Sequence, residues 1–359
     1  MPLSQFVSAS FIIVAGGALP VAADDTAPRS YLLEAYPDAI AAALELKEKQ
    51  LSVAVQNVNA QPFYLIVPSL NRWQPGSTVR VAFNGGDDAL FDKLAAQALE
   101  WTKAGRANLH LQFKDASGNY LRWTPTDMSY VAEIRVAFQS GARGGYWSHV
   151  GTNSIDRNLV GGNPGEASLN LDSFDRSLPA DWQAVTLHEF GHALGFQHEH
   201  QNPTGGCDFR FEDDPGYVPT KNAQGWFVND SNNRRPGLYT YLGGYANYWP
   251  KWKVDNNLRS LPVSSAYLVG TFDRTSIMKY FFDASMFSAE ENSPCYTNTE
   301  NLVLSSQDAE GAAKAYPEAP SAIEAILSTQ KKTLSEILSN SDVSGALRQN
   351  LQLNLDRLQ

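Results

Sequence analysis

The chain has 359 residues, 43% of them hydrophobic and 18% charged, and its 28 Lys and Arg against 38 Asp and Glu leave a formal net charge of -10. That balance excludes a nucleic-acid or anionic-membrane partner, because a polyanion is held by a basic surface. Two Cys exclude a four-thiolate zinc site and a disulfide framework, so metal chemistry would have to be built on the six His.

The first segment is an apolar run from Phe11 to Leu19, followed by Val21, Ala22 and Ala23 and then Asp24-Asp25. It reads as a secretory signal over residues 1–23, too short to span a bilayer, although no Lys or Arg precedes it. Residues 24–70 form a block of their own, a removed propeptide or a permanent N-terminal extension. A helix is predicted there from Pro37-Asp38 through the Ala, Leu, Glu and Lys-rich run Ala39 to Lys49. The block has no Cys, so no thiolate from it can cap a metal.

Residues 71–317 alternate strand and helix signals. Val79, Val81 and Phe83 share one face of a strand, and Asp87-Asp88 opens a helix carrying Leu90, Leu94 and Trp101. Further strands are predicted over 109–113, 134–138, 144–151 and 167–171, and a helix over about 180–194. This order predicts an α+β domain with one twisted mixed sheet and two long helices. Beyond His200 the chain is loop-rich to about residue 300, and a short helix is predicted over 306–316. Ile323, Ile326, Leu327, Leu334, Ile337 and Leu338, then Leu347, Leu351, Leu355 and Leu358, recur at helical spacing. They predict a helical hairpin over 318–359, set off by Pro317 and Pro320 and packed on the main domain.

Four of the histidines fall in the run His188-Glu189-Phe190-Gly191-His192-Ala193-Leu194-Gly195-Phe196-Gln197-His198-Glu199-His200. At about 100° per residue His188 and His192 leave one helix face a turn apart, as two nitrogens must to meet one zinc. Glu189 follows the first ligand, where its carboxylate reaches a zinc-activated water as general base without ligating the metal. On a continuing helix His198 would lie about 15 Å from His188. The chain must therefore turn back, and Gly195 stands where a left-handed residue ends a helix at no steric cost. His198 then returns as third ligand, and three nitrogens leave a fourth position open, the catalytic zinc arrangement.

Far downstream stands Ser276-Ile277-Met278-Lys279-Tyr280. With the long histidine motif it resembles the metzincin metalloproteases, and His198-Glu199-His200 together with Ser-Ile-Met-x-Tyr is similar to the astacin family among them. The resemblance covers about residues 71–317 and includes Gly145-Tyr146-Trp147-Ser148-His149-Val150-Gly151. It implies the zincin-like fold: a twisted, mixed, five-stranded sheet with two long helices above a loop-rich C-terminal subdomain. It also makes Met278 the turn residue beneath the site, with Gly195 and Glu199 structural. Tyr280 becomes a switching zinc ligand that leaves the metal to hydrogen-bond the oxyanion. Two features depart from the family: its usual disulfide cysteines are missing, and Lys279 stands where many members have His. The family's preference for acidic residues after the scissile bond is therefore not carried over.

Cys207 and Cys295 are expected to pair in a secreted chain, with free thiols the alternative. Asp208, Glu212, Asp213 and Asp214 are read as a solvated acidic loop, with calcium ligation the alternative. Tyr239, Tyr241, Tyr245, Tyr248, Trp249 and Trp252 are expected mainly to pack the loop-rich part, with a substrate surface the alternative. Asn229-Asp230-Ser231 is a glycosylation acceptor only in a eukaryotic secretory pathway. His110 and His149 are expected to be ordinary surface or hydrogen-bonding residues.

The expected function is a secreted, monomeric zinc endopeptidase acting on proteins or peptides, with no nucleic-acid partner and no membrane insertion once the signal is removed. Substrate would pair antiparallel with an exposed strand edge near Tyr146 to Val150. The reading from another class is a catalytically silent scaffold used for extracellular binding or adhesion, which would have no need of Glu189.

Overall fold

The computed structural model describes residues 36–56, 70–261, 271–341, 343 and 345–358. The signal expected at 1–23 and parts of the 24–70 block lie outside them. The central sheet has the order β2-β1-β3-β5-β4. Its strands are β1 (Thr78–Phe83), β2 (His110–Gln112), β3 (Ile134–Ala137), β4 (Tyr146–Ser148) and β5 (Leu169–Leu171). The β1–β2, β1–β3 and β3–β5 pairs are parallel, whereas β4 runs antiparallel to β5. The molecule is thus a mixed α+β structure with an antiparallel edge strand on an otherwise parallel sheet.

Strand alternation assigns the two faces. Val79, Val81, Phe83, Ile134 and Val136 face helices α2 (Asp88–Ala98) and α3 (Trp182–Ala193) and form the main core with Leu94, Trp101, Leu187 and Phe190. Asp87 caps α2 by accepting from the Leu90 amide, as the Asp87-Asp88 pair predicts. Ala82 and Ala137 face the other way and pack with Trp147, Ile40 and the partly buried Tyr36 and Leu44. The last three belong to the N-terminal block, whose helix α1 (Asp38–Gln56) outruns the predicted run. Ile40 is only 4% exposed in this cluster.

The loop-rich part holds a two-stranded ladder, β6 (Thr220–Lys221) with β7 (Phe227–Val228), and two short helices, α4 (Leu238–Gly243) and α5 (Lys251–Leu258). Its own core gathers Phe209, Leu242, Trp249, Val254, Tyr280, Phe282, Phe287 and Cys295. The expected bridge is present: Cys207 and Cys295 form a disulfide. The aromatic group divides, with Trp249 buried and Tyr239 and Tyr241 packed against that core, but Tyr245, Tyr248 and Trp252 exposed. Helix α6 (Ser306–Ala315) follows, and α7 (Pro320–Ser339) and α8 (Gly345–Asp356) form the hairpin. The hairpin core joins Leu70 to Leu334, Ile337, Leu347 and Leu351. Asn158 Nδ2 donates to the Ala346 carbonyl and so ties the hairpin to the domain.

His110 is exposed, but the surface alternative fails for His149, whose exposure is 0%. Its Nε2 lies 2.8 Å from the Val160 carbonyl, while Nδ1 has no hydrogen-bond partner among the described residues. Burial pushes the imidazole down to about 4, against the opposing carbonyl contact. The unfolded chain takes up this proton near 6.5. Stability from the neutral ring is therefore complete above about pH 6.5 and is lost as pH falls through about 4, in all about 3 kcal/mol. In urea titrations at several pH values between 7 and 4, His149→Phe is expected to flatten this acid limb relative to wild type. An unchanged limb would contradict the assignment.

Candidate metal centre

Helix α3 carries the first half of the site and is fixed along its length by groups from elsewhere. Trp101 Nε1 donates to the Leu187 carbonyl at 2.8 Å, and Trp73 Nε1 donates to that of Ala193 at 2.9 Å. Leu187, Phe190 and Ala193 face the core, and His188, Glu189 and His192 are also buried. The helix then stops abruptly. Gly195 has φ +100°, its amide donates to the His192 carbonyl, and the Phe196 amide donates to that of Gly191. This is the paired bonding of a Schellman ending, and only glycine takes its left-handed residue without strain. The Phe196 carbonyl, swung back by the turn, lies 2.7 Å from His192 Nδ1, and His198 follows two residues later.

The three imidazoles converge. His192 Nε2 lies 3.1 Å from His188 Nε2 and 3.0 Å from His198 Nε2. All three ligand atoms fall within 4.8 Å of one another. His188 Nδ1 lies 2.7 Å from the Ile277 carbonyl, and His192 Nδ1 has the Phe196 carbonyl. A carbonyl only accepts, so each Nδ1 carries the proton and each Nε2 is unprotonated and carries a lone pair. Two lone pairs at 3.1 Å repel unless a cation lies between them. Nitrogens of a tetrahedral zinc site with ~2.1 Å bonds stand roughly 3.4 Å apart, close to this spacing. The donor set thus fits a metal ion, with both Nδ1 atoms oriented as ligating histidines usually are.

Beneath the histidines runs the 276–280 turn. Met278 is 3% exposed and packs against α3. A Cβ at Gly191 would stand 2.3 Å from Met278 Sδ and 2.9 Å from Trp101, so any larger residue would have to displace the Met278 side chain beneath the site. The Met278 carbonyl accepts from the Glu199 amide, and Glu199 Oε1 accepts from the Asp273 amide. Burial pushes the Glu199 carboxyl up to about 7 against the bonds from Asp273 and Asn202. Tyr280 is 8% exposed, with its ring centroid 4.3 Å from that of His198 and 5.6 Å from that of His188. His200 stacks behind both His198 and Tyr280 and is held through Nε2 by the Asn257 carbonyl of α5. Lys279 is buried with Nζ 2.8 Å from the Tyr280 carbonyl, and burial pushes it down to about 8.

No protein-family model matches the chain, and no curated protein does. Among solved structures, the one titled "Structure of myroilysin" is 29% identical, with a TM-score of 0.50, over 71% of this chain and 98% of that one. The chain is similar to myroilysin. A crystal structure of myroilysin is 27% identical over 69% of this chain and 86% of that one, at a TM-score of 0.40. Coverage of nearly all of the first myroilysin chain leaves part of the present chain outside the likeness.

The acidic loop does not gather into a site. Asp213 accepts from the Gly237 amide and Thr240, Asp214 from Arg235, and Asp208 from the Ala289 amide, while Glu212 pairs with Lys251. These carboxylates hold loops together, and among the described residues they do not gather into a metal-ligand cluster for the calcium alternative. Neither Tyr36 nor Asp308 emerges from the sequence, although both reach the site's surroundings. Ser305-x-x-Asp308 is legible only as a helix start.

Proposed function

We propose that the chain is a secreted, zinc-dependent endopeptidase of the astacin-like metzincin type. The observation that carries this reading is the convergence of the three histidine Nε2 atoms on a helix that also carries the buried Glu189. The likeness to myroilysin supports a peptidase. The disulfide suits an oxidising compartment, and no helix among the described residues is long and apolar enough to cross a membrane.

His188, His192 and His198 would hold the zinc, with Tyr280 available as a further ligand. Bound there, zinc supplies Lewis acidity toward a peptide carbonyl and acidifies water. Glu189 takes a proton from the attacking water and returns it to the leaving nitrogen. The Tyr280 hydroxyl donates to the oxyanion as negative charge grows on it. Tyr146 stays a neutral hydroxyl, pushed up to about 12 by burial first and then by Asp181, Asp172 and Glu189.

Substrate lies extended along the free edge of β4. The His149 amide donates to the Ser168 carbonyl, so in the alternating antiparallel ladder the Ser148 carbonyl points away from β5. The Tyr36 hydroxyl donates to that carbonyl at 2.7 Å. Lys253 Nζ reaches both the Tyr36 carbonyl and Asp38, and Lys47 pairs with Asp156. The N-terminal block thus occupies an acceptor that an extended peptide would use, which suits a propeptide. Tyr36→Phe is expected to raise kcat/KM about fivefold, the worth of one hydrogen bond. Initial rates on one peptide check this, and an unchanged rate would detach Tyr36 from the edge.

A peptide-library digest read by mass spectrometry tests the function. Internal cleavages by the wild type that vanish in His192→Ala are expected. A zinc-loaded wild type that cleaves nothing would overturn the reading in favour of a silent binding scaffold.

A further inference from the structure

The carboxylate of Asp308 stands in the first turn of α6, 31 residues beyond Ile277, and is partly buried. As the acidic member of a capping box it needs only the Ser305 amide, which donates to Oδ2 at 2.9 Å. Two more donors reach it from the turn beneath the histidines. Ser276 Oγ donates to Oδ1 at 2.6 Å, and the Ile277 amide donates to Oδ2 at 2.9 Å. Ser276 Oγ in turn accepts from the Met278 amide at 3.0 Å. The other side of Ile277 is the carbonyl that lies 2.7 Å from His188 Nδ1. One residue therefore has its amide held by Asp308 while its carbonyl orients a histidine.

We propose that Asp308 is a positioning residue for the metal centre: by clamping Ser276 and Ile277 it fixes the carbonyl that selects the His188 tautomer and aims its Nε2. This rests on the zinc reading above. A helix cap explains one of the three bonds, and the remaining two have no role in holding α6 itself. The same turn reaches the third histidine through the Met278 carbonyl and the Glu199 amide, so loosening it disturbs both ends of the ligand set. A carboxylate suits the place because its two oxygens face three donors. An asparagine can keep its carbonyl oxygen toward the two amides and turn its NH2 to the Ser276 hydroxyl, which can accept.

The test compares wild type, Asp308→Ala and Asp308→Asn by zinc competition with a chelator, with the His188 Nδ1 proton followed by NMR in the zinc-loaded protein. Asp308→Ala is expected to weaken zinc binding about 10- to 100-fold, as loss of a ligand-orienting partner does, and to lose or shift the Nδ1 proton signal. Asp308→Asn is expected to restore most of both. A folded Asp308→Ala with wild-type zinc affinity and an unmoved Nδ1 signal would overturn the proposal. Should that variant fail to fold, Ser276→Ala carries the test, with zinc affinity falling severalfold on the proposal and unchanged against it. A wild type that takes up no zinc overturns the zinc reading and this proposal together, whereas equal zinc binding by wild type and Asp308→Ala overturns the proposal alone.

Discussion

Glu189→Gln is expected to lower kcat/KM by about 10²- to 10⁴-fold while one zinc stays bound, because the substitution removes a proton carrier and leaves the ligands in place. Glu189 is the one acidic residue of the histidine motif on α3, and it is 1% exposed there. Glutamine has nearly the same volume, so the packed helix accepts it, and loss of activity cannot be assigned to unfolding. Zinc content and a thermal melt matching wild type, with hydrolysis nearly gone, is the expected pattern. Unchanged hydrolysis in this variant would remove Glu189 from the mechanism. Loss of zinc along with activity would make it a support for the ligands instead.

Replacing both Cys207 and Cys295 by Ser is expected to lower the stability of the loop-rich subdomain by up to about 4 kcal/mol, since their bridge closes a loop spanning 88 residues. Among the described residues the subdomain has little regular structure to compensate: the short β6–β7 ladder, helices α4 and α5 and a few single 3-10 turns. Cys295 is fully buried in the cluster that also holds Tyr280, Phe282 and Phe287. Activity is therefore expected to fall with stability as temperature rises, because Tyr280 shares the loosened core. Urea unfolding with and without reductant reads the effect, and an unchanged midpoint would show that the aromatic cluster holds this region without the bridge.

What the sequence discloses about this molecule is mostly local. His188 and His192 one helical turn apart, Gly195 at the reversal and His198 beyond it are consequences of helix geometry and glycine sterics, so they are legible without a fold. The apolar alternation in Val79, Val81, Phe83, Ile134 and Val136 likewise predicts the core face of the sheet. Strand order and the antiparallel run of β4 depend on contacts distant in sequence and have no comparable signature. The strands β4 and β5 are also shorter than predicted, three residues each, although the His149 amide still donates to the Ser168 carbonyl just beyond them. The hydrogen-bonding reading of His149 holds, but its burial is not legible, because a lone histidine between Ser148 and Val150 gives no sign that Gly161 closes over it, where a Cβ would stand 2.6 Å from Nε2. Asp308 reads as a cap, since its reach to Ser276 and Ile277 appears only when α6 docks beside the turn.

The claim that one zinc on three histidines performs peptide hydrolysis is tested most directly by returning zinc to the chelated chain while hydrolysis of a cleavable peptide is followed. The account predicts a metal-free chain without activity, and a linear rise that reaches its plateau at one zinc per chain. Full activity before any zinc is added, or a plateau reached with no hydrolysis, would contradict it.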